Sequence, residues 1–445
     1  MKIGLLITTF NRPNYLKLCF ESLQRADLSK IFEVFIVDDC STDKLVEKLI
    51  VDFVVNDKNR SVVYKPENLS IKESLLYGFN RLFELGCDTV INLDGDAIVR
   101  NDFVDRLLEL HEKYPLLIKT GFNCNTLNRD GSIRHQHLYS EPGTTFRQSV
   151  GGINMCFGRE TYLRFVKPAL IQTLTYGGNW DALACINCKN ESLPIAVTVP
   201  SVIQHLGVQS SMGHDAGGEP ADTADDFKPL GLINVTLLGV ADDFKGLWKA
   251  ADISCQNIHF GAVKIISEGS PARIRKLGSK IEYSKFIFNE LLEHIETDYF
   301  LLIQADGFVL NWKAWTTEFL KYDYIGAVWN WYDDGMQVGN GGFSLRSKRL
   351  HEALKFVQLQ NDHIIKNYEE DHNICRIHRK YLEEFHDIKF APPLLADRFS
   401  IEGWRASPAD KIYHGSFGFH GWSIDFSNSN LPYVPYLIPN SRKIF

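Results

Sequence analysis

Short apolar runs alternate with amphipathic segments along residues 1–120, and this order limits the fold more than any other feature of the chain. The runs at residues 3–8, 32–37, 61–64 and 89–93 predict strands, and the segments between them predict helices. A repeated strand–helix order predicts an α/β fold with a mainly parallel sheet covered by helices. In such sheets ligands bind beyond the carboxyl ends of the strands.

Polar side chains follow each of the four predicted strands. They are Thr9 and Asn11, Asp38 and Asp39, Asn68, and the pair Asp94 and Asp96. The carboxyl ends of parallel strands meet at one edge of a sheet, so we expect these side chains to share one site. Asp94 and Asp96 supply the oxygen ligands that Mg²⁺ or Mn²⁺ prefers. Taken alone, Asp-Gly-Asp is also ordinary turn chemistry at a strand end.

The strand–helix order begins again in the second half of the chain. A strand is predicted at residues 232–240, and another in residues 299–308 carries one acid where the first copy has two. Residues 207–230 are rich in Gly, Asp, Ala and Pro and lack periodicity, which predicts a linker or a mobile loop. We therefore predict two copies of one α/β architecture, at residues 1–206 and 231–445.

The composition excludes several classes of partner. The 445 residues carry a net charge of −7, so no basic field attracts nucleic acid. No apolar run reaches the ~20 residues that span a bilayer. Nine cysteines, scattered among predicted strands and helices, indicate reduced thiols. We therefore expect a cytoplasmic protein, free or at the inner face of the membrane, and leave peripheral membrane contact and oligomerisation open.

The first half carries four motifs in a definite order. They are residues 8–13 (TTFNRP), residues 37–43 (VDDCSTD), Asn68 ahead of a helix, and residues 93–96 (LDGD). Over roughly residues 1–205 this order resembles the inverting family 2 glycosyltransferases of the GT-A fold. The resemblance implies a donor site in which Thr9 and Asp39 contact the base and ribose of a nucleotide sugar. The donor residues it implies are Thr9, Asn11, Arg12, Asp39, Asn68 and Asp94.

The same resemblance implies a metal site and a catalytic base. Asp94 and Asp96 would hold the metal and the diphosphate, and His205 would match a late histidine that some members add to the metal shell. Asp181 would match the acid of the family's Glu-Asp element. Trp180 stands where that element has its Glu, which leaves the base assignment open.

The second half carries a separate set of motifs. They are residues 304–307 (QADG), 322–327 (YDYIGA), 338–346 (VGNGGFSLR), Glu370-Asp371, and 417–420 (FGFH). These motifs look like those of a less characterised glycosyltransferase-like domain family. By analogy, Asp306 and His420 would be metal ligands, and Asp371 or Glu370 the base. Gly341 and Gly342 would allow the backbone to approach a donor sugar closely.

These residue types suit glycosyl transfer. Breaking the bond between the anomeric carbon and the phosphate leaves a diphosphate, whose growing charge a divalent cation stabilises. A carboxylate on the opposite face accepts the proton of the attacking hydroxyl, and direct attack inverts the anomeric centre. Each half offers such a pair, Asp96 with Asp181 and Asp306 with Asp371.

Each assignment also has a purely structural alternative. Ser41 or Thr42 could cap the helix that follows residues 38–43, and Asp181 could cap its own helix. Glu370 and Asp371 could be acids that a helix dipole favours, and the glycines of residues 339–342 could serve a turn. Trp329 and Trp331 could be core residues or a sugar-stacking platform.

The sequence therefore predicts a bifunctional, metal-dependent glycosyltransferase. It would use Mn²⁺ or Mg²⁺, a nucleotide-sugar donor with UDP favoured, and a glycan or glycolipid acceptor, in surface polysaccharide or glycoconjugate biosynthesis. The alternative keeps only the first half catalytic and makes the second half a carbohydrate-binding or docking module. The single acid, Asp306, favours that alternative, whereas the second candidate base and His420 oppose it.

Overall fold

The chain folds into two compact units, Met1–Pro229 and Leu230–Phe445. The computed structural model describes residues 1–426 except residues 56, 129, 208–221, 242–243, 268–271, 274–276, 358–368, 404–411 and 422, and the side chains of residues 272–273. Residues 208–221 of the predicted linker thus lie outside the described residues. The residues that follow them contact the first unit, since the side chain of Gln204 exchanges two hydrogen bonds with the backbone of Ala224.

The first unit is built on a sheet of nine strands among the described residues. The strands of this unit are β1 (Ile3–Thr9), β2 (Ile31–Asp38), β3 (Arg60–Tyr64), β4 (Thr89–Asp94), β5 (Ala97–Val99), β6 (Lys119–Thr120), β7 (His137–Glu141), β8 (Thr144–Arg147), β9 (Asn154–Gly158), β10 (Ile195–Thr198) and β11 (Ile203–His205). Their order in the sheet is β3-β2-β1-β4-β9-β6-β10-β8-β7, and β5 pairs separately with β11.

The pairing of strand β1 determines where a ligand can bind at the edge of this sheet. It pairs in parallel with both β2 and β4, whereas β4 pairs antiparallel with β9. The chain places β2 and β3 on one side of β1 and β4 on the other, so the topological switch point lies between β1 and β4. Ligands of α/β sheets bind in the crevice at the carboxyl ends of such strands.

Helices cover both faces of the first sheet. They are α1 (Pro13–Arg25), α2 (Lys44–Val54), α3 (Ile71–Glu84), α4 (Phe103–Lys113), α5 (Arg159–Thr161), α6 (Lys167–Tyr176) and α7 (Trp180–Asn190), with a π-helical turn at Tyr162–Val166. Leu6 of β1 packs with Phe79 and Leu82 of α3. Its neighbours Leu5 and Ile7 pack in a second cluster. Since side chains alternate along a strand, β1 is buried on both faces.

The second unit repeats this arrangement with fewer strands. Its strands are β12 (Leu230–Val240), β13 (Ile258–Ser267), β14 (Ala272–Arg273), β15 (Tyr299–Ile303), β16 (Tyr324–Ile325), β17 (Ala327–Val328), β18 (Val338–Gly339), β19 (Ser344–Ser347), β20 (Ser400–Glu402) and β21 (Gly418–His420). The main sheet has the order β14-β13-β12-β15-β19-β16, while β17 pairs with β18 and β20 with β21. β12 is parallel to β13 and β15, and β15 is antiparallel to β19, so a switch point again lies between the first strand and the acid-bearing strand.

Short helices complete the second unit. They are α8 (Phe244–Cys255), α9 (Lys280–Asn289), α10 (Lys348–Leu354), α11 (Glu370–His372), α12 (Arg379–His386) and α13 (Pro393–Phe399). Three 3₁₀ segments lie at Leu291–His294, Trp312–Ala314 and Thr317–Lys321, and a π-helical turn lies at Asn373–Ile377. No helix in the described part of the chain is both long and apolar enough to cross a bilayer.

The α/β fold class is confirmed. Residues 344–346, at the end of the glycine-containing motif, begin β19, because the buried Leu345 pairs with Leu301 of β15. Helix α9 begins at Lys280, where the hydroxyl of Ser279 accepts a hydrogen bond from the N–H of Glu282 and caps it. Beyond β4 and β15 both main sheets continue with antiparallel neighbours.

Truncation of the core beneath α3 should weaken the first unit. Phe79 is fully buried and its ring contacts those of Phe157 and Tyr162. We expect Phe79→Ala to lower the free energy of unfolding by about 3–5 kcal/mol, because it opens a cavity in a packed core. Glu84→Ala, on the exposed end of the same helix, should change it by no more than about 0.5 kcal/mol. Chemical denaturation of the three proteins measures both values, and equal midpoints would contradict the packing described here.

Candidate functional site

A cavity of about 270 Å³ opens at the switch point of the first unit. Thr8 of β1 pairs with Asp94 of β4, and the hydroxyl of Thr8 lies 3.3 Å from Oδ1 of Asp94. The predicted donor and metal residues that line this cavity are Thr9, Asn11, Arg12, Asp39, Asn68, Asp94 and Asp96. Residues at or beyond the ends of four different strands, β1 to β4, thus share one site.

Asp94 and Asp96 lie in opposite electrostatic surroundings. Burial and the neighbouring charge of Asp96 raise the pKa of Asp94 well above its ordinary value. Burial would also raise the pKa of Asp96, but its hydrogen bond to His205 and the charges of His205 and Arg12 lower it. The Arg12 guanidinium lies 2.5 Å from Oδ2 of Asp96. Two close carboxylates, one of them destabilised as an anion, form a site that a cation would stabilise.

His205 is brought to this site by strand pairing. It ends β11 and pairs with Ala97 of β5, which follows the acidic turn. Its Nε2 lies 3.3 Å from Oδ2 of Asp96, and its Nδ1 lies 3.1 Å from the carbonyl oxygen of Asp222. A carbonyl oxygen can only accept, so Nδ1 carries a hydrogen and the ring is oriented with Nε2 facing the acids. The structure therefore joins the predicted ligands Asp96 and His205.

The backbone around the acids leaves room for a close approach. A Cβ atom added to Gly207 would lie 2.2 Å from Oδ2 of Asp96 and 2.7 Å from Nε2 of His205. Only glycine fits there without displacing these two atoms. The carboxylates of Asp94 and Asp96 and the imidazole of His205 are donor types that suit Mn²⁺ or Mg²⁺. Asp96 and His205 are the pair that lie together, 3.3 Å apart.

Asn11 has a structural use that the sequence did not reveal. Its Oδ1 accepts hydrogen bonds from the backbone N–H groups of Thr42 and Asp43, at 3.0 and 3.2 Å. Its own N–H donates to Oγ of Ser41, which in turn donates to Asp38. Asn11 therefore holds the loop after β2 against the loop after β1. It lines the cavity, but its side-chain oxygen is already used.

Several residues at the rim have strained backbone. Asn11, Arg12, Cys40 and Ser70 have φ values of 53°, 59°, 65° and 88°, a region that costs side-chain-bearing residues about 1–3 kcal/mol. Such strain persists where the surrounding structure enforces it, and it clusters at ligand sites. All four residues lie in the loops that surround the cavity.

Asp39 and Asn68 are also held by neighbours. Oδ1 of the buried Asp39 accepts a hydrogen bond from the N–H of Leu69 and lies 3.3 Å from Nζ of Lys65. Oδ1 of the exposed Asn68 accepts one from the N–H of Ser70, at the start of α3. The loop before α3 is thereby fixed to the end of β2, so Asp39 is ordered in the cavity wall.

Asp181 lies in the first turn of α7 and faces a glycine turn. Its Oδ2 accepts a hydrogen bond of 2.9 Å from the N–H of Gly152, and its Oδ1 accepts one from the N–H of Ala182. Burial raises its pKa, and these two bonds oppose the rise. The ring of Trp180 packs on Gly152, where an added Cβ would lie 2.8 Å from the indole. Asp181 thus has both a fixed geometry and an increased affinity for a proton.

The second unit has a larger cavity, of about 390 Å³, at its own switch point. Among the predicted residues it is lined by Gly341, Gly342, Glu370, Asp371 and His420. Asp306 is not among its lining residues, but His420 Nε2 lies 3.7 Å from Oδ1 of Asp306. The predicted residues of the second half therefore also come together.

Asp371 and Glu370 differ sharply in their surroundings. Oδ2 of Asp371 accepts a hydrogen bond of 2.9 Å from the N–H of Gly341, the same contact that Asp181 makes with Gly152. Glu370 is buried and its Oε1 accepts a hydrogen bond of 2.7 Å from the fully buried Arg346. Burial raises the pKa of Glu370 to about 7 although Arg346 opposes the rise. Of the two candidates, Asp371 has the geometry of Asp181, and Glu370 is held by an ion pair.

His420 is oriented by an acid that the sequence analysis missed. Glu402 and His420 are partners across β20 and β21, and Oε2 of Glu402 lies 3.1 Å from Nδ1 of His420. This leaves Nε2 directed at Gln304 Oε1, 3.3 Å away. Burial lowers the pKa of His420, but the bond to Glu402 and the surrounding acids raise it overall. Glu402 ends the short strand β20. The sequence feature that could have identified it is an acid that follows an apolar residue at the end of a strand.

The two tryptophans named from the sequence have different environments. Trp329 is buried, and a Cβ on Gly339 would lie 2.2 Å from its ring. Trp331 is 38% exposed and its ring centroid lies 6.0 Å from that of Trp329. Both line the second cavity together with Tyr332 and His372. Trp329 is therefore a core residue, and Trp331 is a partly exposed aromatic residue at the cavity.

Comparisons with known proteins apply to each unit separately. Residues 5–167 match the family described as Glycosyl transferase family 2, and residues 272–420 match one described as Protein of unknown function (DUF5672). No curated protein matches the chain. The first unit therefore carries a glycosyl transferase family 2 domain, as the motifs predict. Asp181 and His205 lie beyond the matched residues.

Several solved structures are similar to part of the chain. A crystal structure of GalNAc-T7 with UDP, GalNAc and Mn²⁺ has a TM-score of 0.37 at 12% identity, over 46% of this chain and 43% of that one. S. aureus TarS 1–349 has a TM-score of 0.33 at 16% identity, over 46% and 60%. The mannosyltransferase PcManGT from Pyrobaculum calidifontis, in complex with GDP-Man and Mn²⁺, has a TM-score of 0.32 at 16% identity, over 45% and 55%. This chain covers less than two thirds of each.

The two acids at the start of α11 should respond differently to loss of charge. We expect Glu370→Gln to lower the free energy of unfolding by about 3–5 kcal/mol, because it leaves the buried Arg346 without its counter-charge. Asp371→Asn retains an acceptor for one of the two N–H groups and should cost about 1 kcal/mol. Thermal and chemical unfolding of both variants measure the difference. Equal losses would show that Glu370 is not the buried partner described here.

Proposed function

We propose that the protein is a metal-dependent glycosyltransferase that moves sugars from nucleotide-sugar donors to a glycan acceptor, with one active site in each unit. The observation that carries this proposal is one arrangement found twice. In each unit a strand-end acid faces a histidine, Asp96 with His205 and Asp306 with His420. In each unit a helix-start acid accepts a hydrogen bond of 2.9 Å from a glycine N–H, Asp181 from Gly152 and Asp371 from Gly341.

In the first unit we assign the donor to the cavity at β1 and β4. Thr9 and Asp39 would bind the base and ribose, with UDP favoured, because both lie in the cavity wall. Asp39 is already ordered by Leu69 and Lys65. Arg12 would provide a positive charge beside the diphosphate, while Asn11 and Asn68 would keep the surrounding loops in place. The hydrogen bonds of Asn11 and Asn68 to neighbouring backbone support a framework role for these two residues.

Asp94, Asp96 and His205 would hold Mn²⁺ or Mg²⁺ in the first unit. The raised pKa of Asp94 and the close approach at Gly207 support this assignment. When bound, the ion would supply positive charge to the diphosphate leaving group. The protein would hold His205 in a fixed orientation for the ion, since the carbonyl oxygen of Asp222 contacts its Nδ1.

Asp181 would act as the base of the first unit. Its carboxylate is held by two backbone N–H groups, so it would accept the proton of an acceptor hydroxyl without rotating away. The hydroxyl oxygen would then attack the anomeric carbon as the bond to the diphosphate breaks. Direct displacement from the opposite face gives inversion. A general base of this kind is worth about 10²–10⁴-fold in rate.

In the second unit Asp371 would be the base, and Asp306 with His420 would hold the metal. Glu402 supports this role for His420, because a carboxylate at Nδ1 is a frequent partner of a metal-binding histidine. Gly341 and Gly342 would border the donor, and Glu370 would serve the fold through Arg346 instead of acting as the base.

One observation favours a second candidate function for this unit. Gln304 occupies the position equivalent to Asp94, so the cluster carries one acid fewer, and the exposed ring of Trp331 faces the cavity. A unit of this kind could bind a glycan and position it for the first unit. Either function would serve surface polysaccharide or glycoconjugate biosynthesis.

Separate removal of the two metal-site acids distinguishes these candidates. We expect Asp96→Ala and Asp306→Ala each to reduce a different sugar transfer by about 100-fold or more, because each removes a ligand of the cation at a leaving group. Transfer from a panel of nucleotide sugars with Mn²⁺ is the measurement. Asp52→Ala and Asp252→Ala, both exposed helix positions, are the matched controls. If Asp306→Ala leaves every transfer intact, the second unit binds glycan and does not catalyse.

The pH dependence of the first transfer should reflect the buried base. Burial raises the pKa of Asp181, and only its deprotonated form accepts a proton. Activity should therefore be complete above this raised pKa and fall as the pH drops through it, beginning above the ordinary Asp value of ~4. The acidic side of the profile of kcat/KM against pH gives the pKa of the base. A pKa at or below the ordinary aspartate value would contradict a buried base.

A further inference from the structure

A cysteine, a histidine and an aspartate converge in the first unit, apart from the proposed metal ligands. Sγ of Cys124, a ring nitrogen of His135 and a carboxylate oxygen of Asp222 lie within 4.8 Å of one another. Cys124 and His135 are buried, and Asp222 is largely so. Cys124 and His135 belong to one segment of the chain, whereas Asp222 comes from a much later one, so the fold brings Asp222 to the other two.

His135 presents an unused nitrogen to this cluster. Its Nδ1 lies 3.0 Å from Oγ of Ser149, whereas its buried Nε2 has no hydrogen-bond partner among the described residues. Nε2 lies 3.6 Å from Oδ2 of Asp222, too far for a hydrogen bond but close to the separation of two ligands on one tetrahedral metal ion. A buried polar atom without a partner is costly, and a metal ion would relieve that cost.

The other two ligands are also prepared. Sγ of Cys124 accepts a hydrogen bond of 3.4 Å from the N–H of Thr126, a contact that stabilises a thiolate. Oδ1 of Asp222 accepts one of 2.5 Å from Arg134, which leaves Oδ2 for a metal. A Cβ on Gly151 would lie 3.3 Å from that Oδ2. Each ligand therefore has the outer hydrogen bond that metal-binding residues usually have.

We infer that Cys124, His135 and Asp222 bind one Zn²⁺ ion. Thiolate, imidazole and carboxylate together match the ligands of zinc, while Mn²⁺ and Mg²⁺ prefer oxygen. Three protein ligands leave the fourth tetrahedral position to water. Deprotonation of Cys124 releases its proton to solvent as the metal–sulfur bond forms.

This ion would stabilise the positions of two residues in the proposed active site of the first unit, His205 and Asp181. The carbonyl of Asp222 contacts Nδ1 of His205, so fixing the side chain of Asp222 also fixes the group that orients His205. Gly151, beside the ligand oxygen, precedes Gly152, whose N–H holds Asp181. Zinc at this cluster would therefore act on the positions of two residues without touching substrate.

Metal titration of the full chain tests this inference. After metal removal by a chelator and exchange into buffer, we expect one Zn²⁺ to bind, and Co²⁺ in its place to give the thiolate-to-cobalt charge-transfer absorption. Cys124→Ala should abolish that absorption. Cys87→Ala, which removes an equally buried sulfur, should retain it. Absence of the absorption from the wild type, or its persistence in Cys124→Ala, would overturn the proposal.

Two further variants separate this site from the proposed catalytic metal. Asp96→Ala should keep the thiolate absorption, because the proposed catalytic metal ligands include no cysteine. Loss of the absorption in this variant would show that the cobalt does not bind at Cys124, His135 and Asp222. Asp222→Asn preserves the size of the side chain and covers the case in which Cys124→Ala does not fold. It should weaken zinc affinity by about 10-fold or more, and an unchanged affinity would exclude Asp222 as a ligand. Neither result depends on transfer activity.

Discussion

The parallel pairing of the first strand with the acid-bearing strand governs both units. Register places Thr8 of β1 opposite Asp94 of β4, and β12 pairs in the same way with β15. The chain adds strands first on one side of the first strand and then on its other side. This switch point leaves a crevice at the carboxyl ends of the pair. A slip of β1 by one residue would replace Gly4 with a larger side chain, although even a Cβ added at Gly4 would lie only 2.9 Å from Leu82. Close packing of this kind holds the register.

A glycine N–H fixes the candidate base in each unit, but different residues support that contact. In the first unit Trp180 packs on the glycine, and in the second unit Glu370 does. The indole fills the space without charge. Glu370 instead brings a carboxylate into a buried position, which requires Arg346 on β19. One backbone geometry is therefore stabilised by apolar packing in one copy and by an ion pair in the other.

The sequence predicted what local patterns determine. Strand ends locate Thr9, Asp39, Asp94 and Asp96, because alternation and periodicity identify strands and parallel strands end together. Glu402 and Asp222 were not identified, since each depends on pairing with a residue far away in the chain. The choice between Glu370 and Asp371 was also beyond the sequence. It required the burial of Arg346, which no local pattern reports, and the framework use of Asn11 required its contacts with Thr42 and Asp43.

The ion pair beside the candidate base of the second unit also constrains how this protein can evolve. A single replacement of Arg346 or Glu370 leaves one buried charge, whereas a joint replacement by apolar residues of similar volume can be neutral. Every path between the two packings thus passes through a disfavoured intermediate, and the two positions should change together. The equivalent position of the first unit, Trp180, carries no such coupling. Substitutions beside the glycine turn should therefore occur singly at Trp180 in the first unit, and in pairs at Glu370 and Arg346 in the second unit.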